Sequence, residues 1–317
     1  MQSRSKYSAN RIALISTPWP LYNRPSIQLG TLKSYLQTVY PDMQVDAQHV
    51  YLKLAESIGY RQYHEISKRT WLAETVYAAL LYPERFQQIE KLFNRESGRK
   101  SVLRVAGLGN IAAIVKKISD EFINSRNWDD YLLTGFSVSL CQLTSALYFI
   151  KRIKEKAPKL IIVIGGSTFS GSTTGELFKL FPEVDAVING EGELPFSQLI
   201  TCLRKFSRLS NVPFIPGLNR PETATDHSTS ASFQQLTSLK TLPPPDFGDY
   251  FDLLRSFDPQ NAFFPVLPVE TSRGCWWQQS YVPDKTTPKM SGHPAGCAFC
   301  NLNLQWQGYR TKAPSQV

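Results

Sequence analysis

Short apolar segments that alternate with helical patterns constrain the fold of this chain more than any other feature. They are RIALIST at 11–17, YLLTGFSVS at 131–139, LIIVIGG at 160–166 and AVING at 186–190, with a further strand expected at 44–50. Runs this short and this apolar are typical of strands buried on both faces of a parallel sheet. The order of strand, helix and strand therefore predicts an α/β protein with a Rossmann-like parallel sheet.

The sequence predicts three parts of the chain. Residues 10–206 form the sheet domain, and helical patterns without strands over about 52–127 indicate a helical insertion within it. A polar, proline-marked stretch at 207–265 is expected to be a linker. Residues 266–317 are expected to be a new unit, and it begins within the strand-like run FPVLPVETS at 264–272. Each further βα unit needs roughly 30 residues, so we expect only the start of a second α/β domain, as in an amino-terminal fragment.

Charge and hydropathy exclude some classes of protein. The net charge is +9, but basic residues are interspersed with acidic ones, which favours a solvated surface over nucleic-acid binding. No apolar run reaches the roughly 18 residues of a membrane span, and the polar start MQSRSKYSAN does not resemble a secretory signal. We therefore expect a cytoplasmic protein, in which the five cysteines do not form a disulfide framework.

Three of those cysteines suggest a metal centre. Cys297 and Cys300 form a C-A-F-C pair, and Cys275 precedes them by a long segment. Two thiolates at this spacing can bind one metal ion or cluster. With His293 they offer a Cys₃His zinc site. Without His293, the three cysteines would hold an iron–sulfur cluster in which one iron is open to a substrate or cofactor.

Three motifs in this region resemble the cluster loop of radical S-adenosylmethionine enzymes. They are S-R-G-C-W-W at 272–277, C-A-F-C-N-L-N at 297–303 and Y-R-T-K-A-P at 309–314. The likeness is greatest to the subgroup that modifies ribosomally made peptides, although 21 residues separate Cys275 from Cys297 where the usual family spacing is three. The resemblance implies a [4Fe–4S] cluster on Cys275, Cys297 and Cys300. It also implies S-adenosylmethionine as cofactor and a radical formed from it that attacks a peptide or small-molecule substrate.

The sheet domain carries a second resemblance, to the cobalamin-binding domains of methyltransferases. It lies in F-S-V-S-L at 136–140, I-G-G-S-T-F-S at 164–170 and V-D-A-V-I-N-G-E-G-E at 184–193. The loop at 18–30, PWPLYNRPSIQLG, lacks the histidine that such domains supply to cobalt, so bound cobalamin is expected to have no protein imidazole ligand. The cobalamin-binding residues that the resemblance implies are Ser137, Ser139, Gly165, Gly166, Ser167, Thr168, Gly190 and Glu191.

Together these features favour a cobalamin-dependent radical enzyme, or its amino-terminal fragment, that acts in peptide or natural-product maturation by methyl transfer to carbon. A second chain would then complete the barrel that 266–317 only begins. Two alternatives stay open. One is a zinc-stabilised binding module without catalysis, and the other is a cobalamin-binding fragment without independent activity.

Overall fold

The computed structural model describes residues 10–98, 101–169, 174–206, 208–223, 234–275 and 308–317. The strands are β1 (Arg11–Ser16), β2 (Gln44–His49), β3 (Leu133–Ser137), β4 (Ile161–Gly165), β5 (Ala186–Ile188), β6 (Leu218–Asn219), β7 (Ser272–Arg273) and β8 (Arg310–Thr311). The α-helices are α1 (Ile27–Val39), α2 (Val50–Ile58), α3 (Tyr60–Ser67), α4 (Thr70–Leu81), α5 (Phe86–Ser97), α6 (Val102–Ala106), α7 (Leu108–Asn124), α8 (Leu143–Lys156), α9 (Thr174–Leu180), α10 (Glu193–Phe206) and α11 (Gly248–Arg255).

Six strands form one sheet in the order β2-β1-β3-β4-β5-β6. The first five are parallel, and β6 pairs antiparallel with β5. This confirms the predicted Rossmann-like α/β sheet. The carboxyl ends of the parallel strands lie along one edge, where sheets of this type bind ligands.

The two faces of the sheet are covered differently, because side chains alternate along each strand. Ile12 and Leu14 of β1 face a core that they share with α1 and α10. Ala13 and Ile15 face the larger core formed with α2–α8. Helices α2–α7 lie between β2 and β3 in the chain, which confirms the predicted helical insertion. No helix of the described residues has both the length and the apolar character that crossing a bilayer requires.

The segment that the sequence predicts to be a linker contributes two elements to this domain. Strand β6 extends the sheet, and α11 packs against β2 and α2. Tyr250 of α11 is fully buried and donates a hydrogen bond to the carbonyl oxygen of Tyr22 at 2.8 Å. Lys33 of α1 forms an ion pair with Asp249 at 2.8 Å. The polar composition of 207–265 concealed these elements because few apolar residues anchor each of them.

The run at 264–272 is not the long strand that its composition predicts. Only Ser272 and Arg273 belong to β7, which pairs antiparallel with β8. Pro265 and Pro268 have no N–H to donate to a neighbouring strand. The apolar side chain of Phe264 is accordingly 96% exposed instead of packed in a core. Valine and phenylalanine content alone therefore overestimated the strand.

Candidate functional site

A cavity of about 450 Å³ opens at the carboxyl edge of the sheet, on the face covered by α1 and α10. This volume is in the range of small-molecule pockets. Its inner wall is apolar and belongs to the core of that face. The residues of this wall are Leu14, Leu29, Gly135, Val163, Ile188 and Phe196.

Glycines shape the walls of the cavity. A Cβ on Gly135 would lie 2.9 Å from the ring of Phe196, so glycine lets this ring pack against the sheet. A Cβ on Gly165 would lie 3.4 Å from the carbonyl oxygen of Ile188, at the limit of ordinary contact. Gly192 has more room, since the nearest atom to its Cβ would be Leu32 Cδ2 at 3.9 Å. The space beside Gly192 is thus available to a ligand.

Five of the predicted cobalamin-binding residues line this cavity: Ser137, Gly165, Gly166, Gly190 and Glu191. The other three, Ser139, Ser167 and Thr168, are not among its lining residues.

Of the predicted residues that do not line the cavity, Ser139 and Thr168 form hydrogen bonds within and between the loops after β3 and β4. The hydroxyl and amide of Ser139 both donate to Gln142 Oε1, at 2.7 and 3.0 Å. The amide of Thr168 donates to the carbonyl oxygen of Val138. Gly166 has a φ of 114°, and a Cβ there would overlap that same carbonyl. Glycine at 166 is therefore required by the contact between the loops after β3 and β4, whatever the cavity holds.

Sequence reasoning missed several residues of the site. Thr31 of α1 lines the cavity, and its buried Oγ1 has no hydrogen-bond partner among the described residues. Buried hydroxyls are usually paired, so this atom is suited to bond a ligand. Gln28, Glu193, Glu270 and Arg273 line the cavity too. Glu193 ends the G-E-G-E motif and Arg273 belongs to S-R-G-C-W-W, but neither was among the predicted cofactor-binding residues.

A largely buried ionic cluster, defined here as Glu191, Glu193, Glu270, Arg273 and Arg310, contributes all its members except Arg310 to the lining of the cavity. Arg273 Nη2 donates to Glu193 Oε1 at 2.7 Å, and Nε donates to Glu270 Oε1 at 2.8 Å. Glu191 lies 3.3 Å from Arg273 Nη1 and accepts from both terminal nitrogens of Arg310. Burial opposes the charge of Arg273, but Glu193 and Glu270 outweigh it and raise the pKa of the guanidinium.

The ionic cluster attaches the antiparallel strand pair β7–β8 to the sheet domain. This pair is called the hairpin below. Arg273 of β7 and Arg310 of β8 are register partners, so S-R-G-C and Y-R-T-K meet in the structure although 36 residues lie between Arg273 and Arg310. Gly274, with a φ of 81°, packs so closely on Gly308 that a Cβ would overlap its carbonyl oxygen. Cys275 follows directly and is half-buried.

The predicted metal ligands can be placed only in part. Cys297, Cys300 and the alternative zinc ligand His293 lie outside the described residues. Within the described ranges, no group of three or more His, Cys, Asp or Glu side chains is arranged to bind a metal ion. The iron–sulfur and zinc hypotheses therefore both stay predictions.

Histidine is not among the residues that line the cavity in the described part of the chain. His49 ends β2, and its ring packs edge-on against Tyr51 and Tyr250. The loop between β1 and α1 contributes no imidazole either, as its sequence requires. The absence of a protein ligand for cobalt stays a prediction for the bound state.

Comparisons with known proteins agree with this architecture. No family model matches the chain. The uncharacterized methyltransferase PH0819 of Pyrococcus horikoshii is 26% identical over 206 residues, which is 63% of this chain and 36% of that protein. Among solved structures, the cobalamin-dependent S-adenosylmethionine radical enzyme OxsB, with aqua-cobalamin and S-adenosylmethionine bound, matches with a TM-score of 0.53 at 16% identity.

A second solved structure is the radical S-adenosylmethionine methyltransferase TsrM from Kitasatospora setae, with cobalamin and a [4Fe-4S] cluster bound. It matches with a TM-score of 0.50 at 12% identity. Both matches cover 98% of this chain, but only 31% of OxsB and 45% of TsrM. The chain thus spans about a third of the length of PH0819 and OxsB and less than half of TsrM. It shares the fold of the corresponding parts of OxsB and TsrM.

Proposed function

We propose that this chain binds cobalamin in the cavity and belongs to an enzyme that transfers methyl groups by S-adenosylmethionine radical chemistry. The observation that carries the proposal is the cavity itself. It lies at the ligand-binding edge of the sheet and has an apolar inner wall. Its lining includes four glycines of the predicted cobalamin-binding motifs and the Thr31 hydroxyl, which has no hydrogen-bond partner among the described residues. OxsB and TsrM, which share this fold, are both described with cobalamin bound.

The lining residues fit the nucleotide tail of cobalamin, which carries an aromatic base, a ribose and a phosphate. Leu14, Val163 and Phe196 offer the base an apolar wall. The hydroxyls of Thr31 and Ser137 can bond to polar atoms of the tail. Gly190 and Gly192 leave the tail room to approach the backbone. When bound, cobalamin supplies the methyl group for transfer.

We further propose that Cys275, Cys297 and Cys300 hold a [4Fe–4S] cluster that provides the electron for cleaving S-adenosylmethionine. The pairing of β7 with β8 supports this, because it joins two segments of the cluster-loop resemblance. A peptide or other natural product is the substrate that the resemblance favours. Zinc binding by the same cysteines is the competing hypothesis, and iron analysis separates the two.

Hydroxocobalamin titration of the full chain tests the cavity assignment. The wild-type chain should bind at micromolar concentration, followed by visible absorbance and equilibrium dialysis. Gly192→Leu should weaken binding by about tenfold or more, equivalent to at least ~1.4 kcal/mol, because its side chain would grow into the cavity beside Leu32. The paramagnetic spectrum of the reduced cobalt form should lack nitrogen coupling from a protein imidazole.

Gly109→Leu is the matched control. Gly109 lies on α7 outside the cavity, and a Cβ there meets only Phe86 at 3.8 Å. This variant should bind hydroxocobalamin as the wild-type chain does, and thermal unfolding should show that both variants are folded. No binding by the wild-type chain, or equal binding by Gly192→Leu, would contradict the cavity assignment.

A further inference from the structure

Arg273 of the ionic cluster lines the cavity. It also precedes Cys275, the first predicted iron–sulfur ligand, by two positions. We propose that Arg273 is a positioning residue, which couples ligand binding in the cavity to the placement of Cys275. The inference rests on the proposed function, since that supplies cobalamin as the ligand.

Arg273 is held in one orientation by its carboxylate partners. Its Nε bonds to Glu270, its Nη2 bonds to Glu193, and its Nη1 lies near Glu191. The side chain is only 14% exposed, and those of Glu191 and Glu193 are 4% and 7% exposed. Solvent screens such pairs weakly, and loss of one partner leaves a buried charge uncompensated. The guanidinium therefore cannot move without breaking several ion pairs.

The backbone transmits this orientation of Arg273 to Cys275. Gly274 links the two residues, and its backbone lies so close to Gly308 that a Cβ at position 274 would overlap the Gly308 carbonyl oxygen. Arg310, the register partner of Arg273, is bonded to Glu191 and to the carbonyl oxygen of Leu236 at 2.5 Å. Two arginines on adjacent strands thus dock the hairpin on the turn after β5.

A ligand in the cavity would contact both the sheet domain and the hairpin that is attached to it. Glu191 and Glu193 of the sheet domain line the cavity, and so do Ser272, Arg273 and Gly274 of the hairpin segment. A ligand gains its contacts with the hairpin only while the hairpin is docked. By thermodynamic linkage, the ligand must then stabilise the docked position of the hairpin, and with it the backbone of Cys275.

The test combines hydroxocobalamin affinity with amide hydrogen exchange on the full chain. In the wild-type chain, hydroxocobalamin should slow exchange at residues 270–275 and 308–312. Arg273→Met should weaken hydroxocobalamin binding by about tenfold or more and abolish this protection. Arg273→Lys should give an intermediate result, because an ammonium group cannot bond to three carboxylates in the fork geometry of a guanidinium.

Arg204→Met is the control, since Arg204 lies near the other end of α10 from Glu193 and pairs with Asp42 at 3.0 Å. It should leave both affinity and protection unchanged. If Arg273→Met fails to fold, Glu193→Gln removes one charge with little change of shape and should reduce the ligand-induced protection.

Two outcomes would overturn the inference in distinguishable ways. Wild-type binding with the same affinity and protection in the Arg273 and Glu193 variants would overturn the coupling and leave the proposed function intact. No hydroxocobalamin binding by the wild-type chain would overturn both.

Discussion

At the scale of single residues, His49 illustrates how burial determines a protonation state. Its Nδ1 lies 3.2 Å from the Tyr51 hydroxyl, which itself donates to the carbonyl oxygen of Arg24. Nδ1 must then carry the hydrogen, and the buried Nε2 has no hydrogen-bond partner among the described residues. Burial first, and the charge of Lys33 second, lower the pKa of His49 to about 3. The imidazole is therefore neutral at pH 7.

This lowered pKa predicts a loss of stability in acid. An unfolded histidine takes up a proton near pH 6.5, whereas folded His49 does so only near pH 3. The free energy of unfolding should therefore fall as the pH drops from about 6.5 toward 3, with His49 contributing up to about 1.4 kcal/mol per pH unit. In His49→Asn, which keeps a donor for Tyr51, this contribution should vanish. Urea unfolding of both chains at several pH values measures it, and parallel pH profiles would contradict the prediction.

Cavity residues at the carboxyl ends of strands were predictable from the sequence, whereas cavity residues from elsewhere in the chain were not. Ser137 and Gly165 end β3 and β4, and Glu191 follows β5. The carboxyl ends of parallel strands meet at one edge. Thr31 is an ordinary helix residue whose role follows only from its place over the cavity. Arg273 is 80 positions from Glu193 in the sequence, and no local pattern reports an ion pair across that distance.

At the scale of elements, the contact between α1 and the start of α11 depends on Gly30, which has no side chain. A Cβ on Gly30 would lie 2.7 Å from the ring of Phe247 and 3.0 Å from the carbonyl oxygen of Asp246. The amide of Asp246 donates to the carbonyl oxygen of Gly30 at 3.0 Å. Glycine inside α1 thus allows the segment before α11 to pack directly on the helix.

Gly30→Ala should therefore lower the free energy of unfolding. Crowding should cost about 1–3 kcal/mol, and the higher helix propensity of alanine should offset ~1 kcal/mol of this loss. The loss should be smaller when Phe247 is already leucine, because the ring that alanine would meet is gone. Gly109→Ala in α7 is the control, and it should be neutral or stabilising, since the nearest contact there is 3.8 Å. Chemical denaturation of the double-mutant cycle measures the coupling, and additive effects would refute it.

Prediction of elements from the sequence succeeded where several apolar residues share one period. Strands β1–β5, each an apolar run, were predicted within a few residues of their observed bounds. It failed for β6 and α11, which are short and are stabilised by partners distant in sequence, such as Lys33 for Asp249. At 264–272 the sequence predicted a longer strand than the structure has, because the prolines prevent the pairing that the valines favour.

At the scale of the whole molecule, the metal content decides between the two hypotheses for the cysteines. Anaerobic reconstitution with iron and sulfide should give about four irons per chain, and Cys297→Ala or Cys300→Ala should abolish this. Cys141→Ala is the control, because that buried thiol contacts Ser67 and Thr70 in the helical insertion. Stoichiometric zinc that iron does not displace would support the zinc module instead.

The separation of the cavity walls along the chain has a consequence for biosynthesis. Strands β1–β5, α1 and the start of α10 are complete once Glu193 has been made. Arg273, which lines the cavity, and Arg310, which pairs with Glu191, come much later. Ribosomes that add 5–20 residues per second need on the order of ten seconds to reach Arg310 from there. A cofactor present during translation therefore meets a cavity that still lacks Ser272, Arg273 and Gly274, whereas one added to the finished protein meets the complete lining.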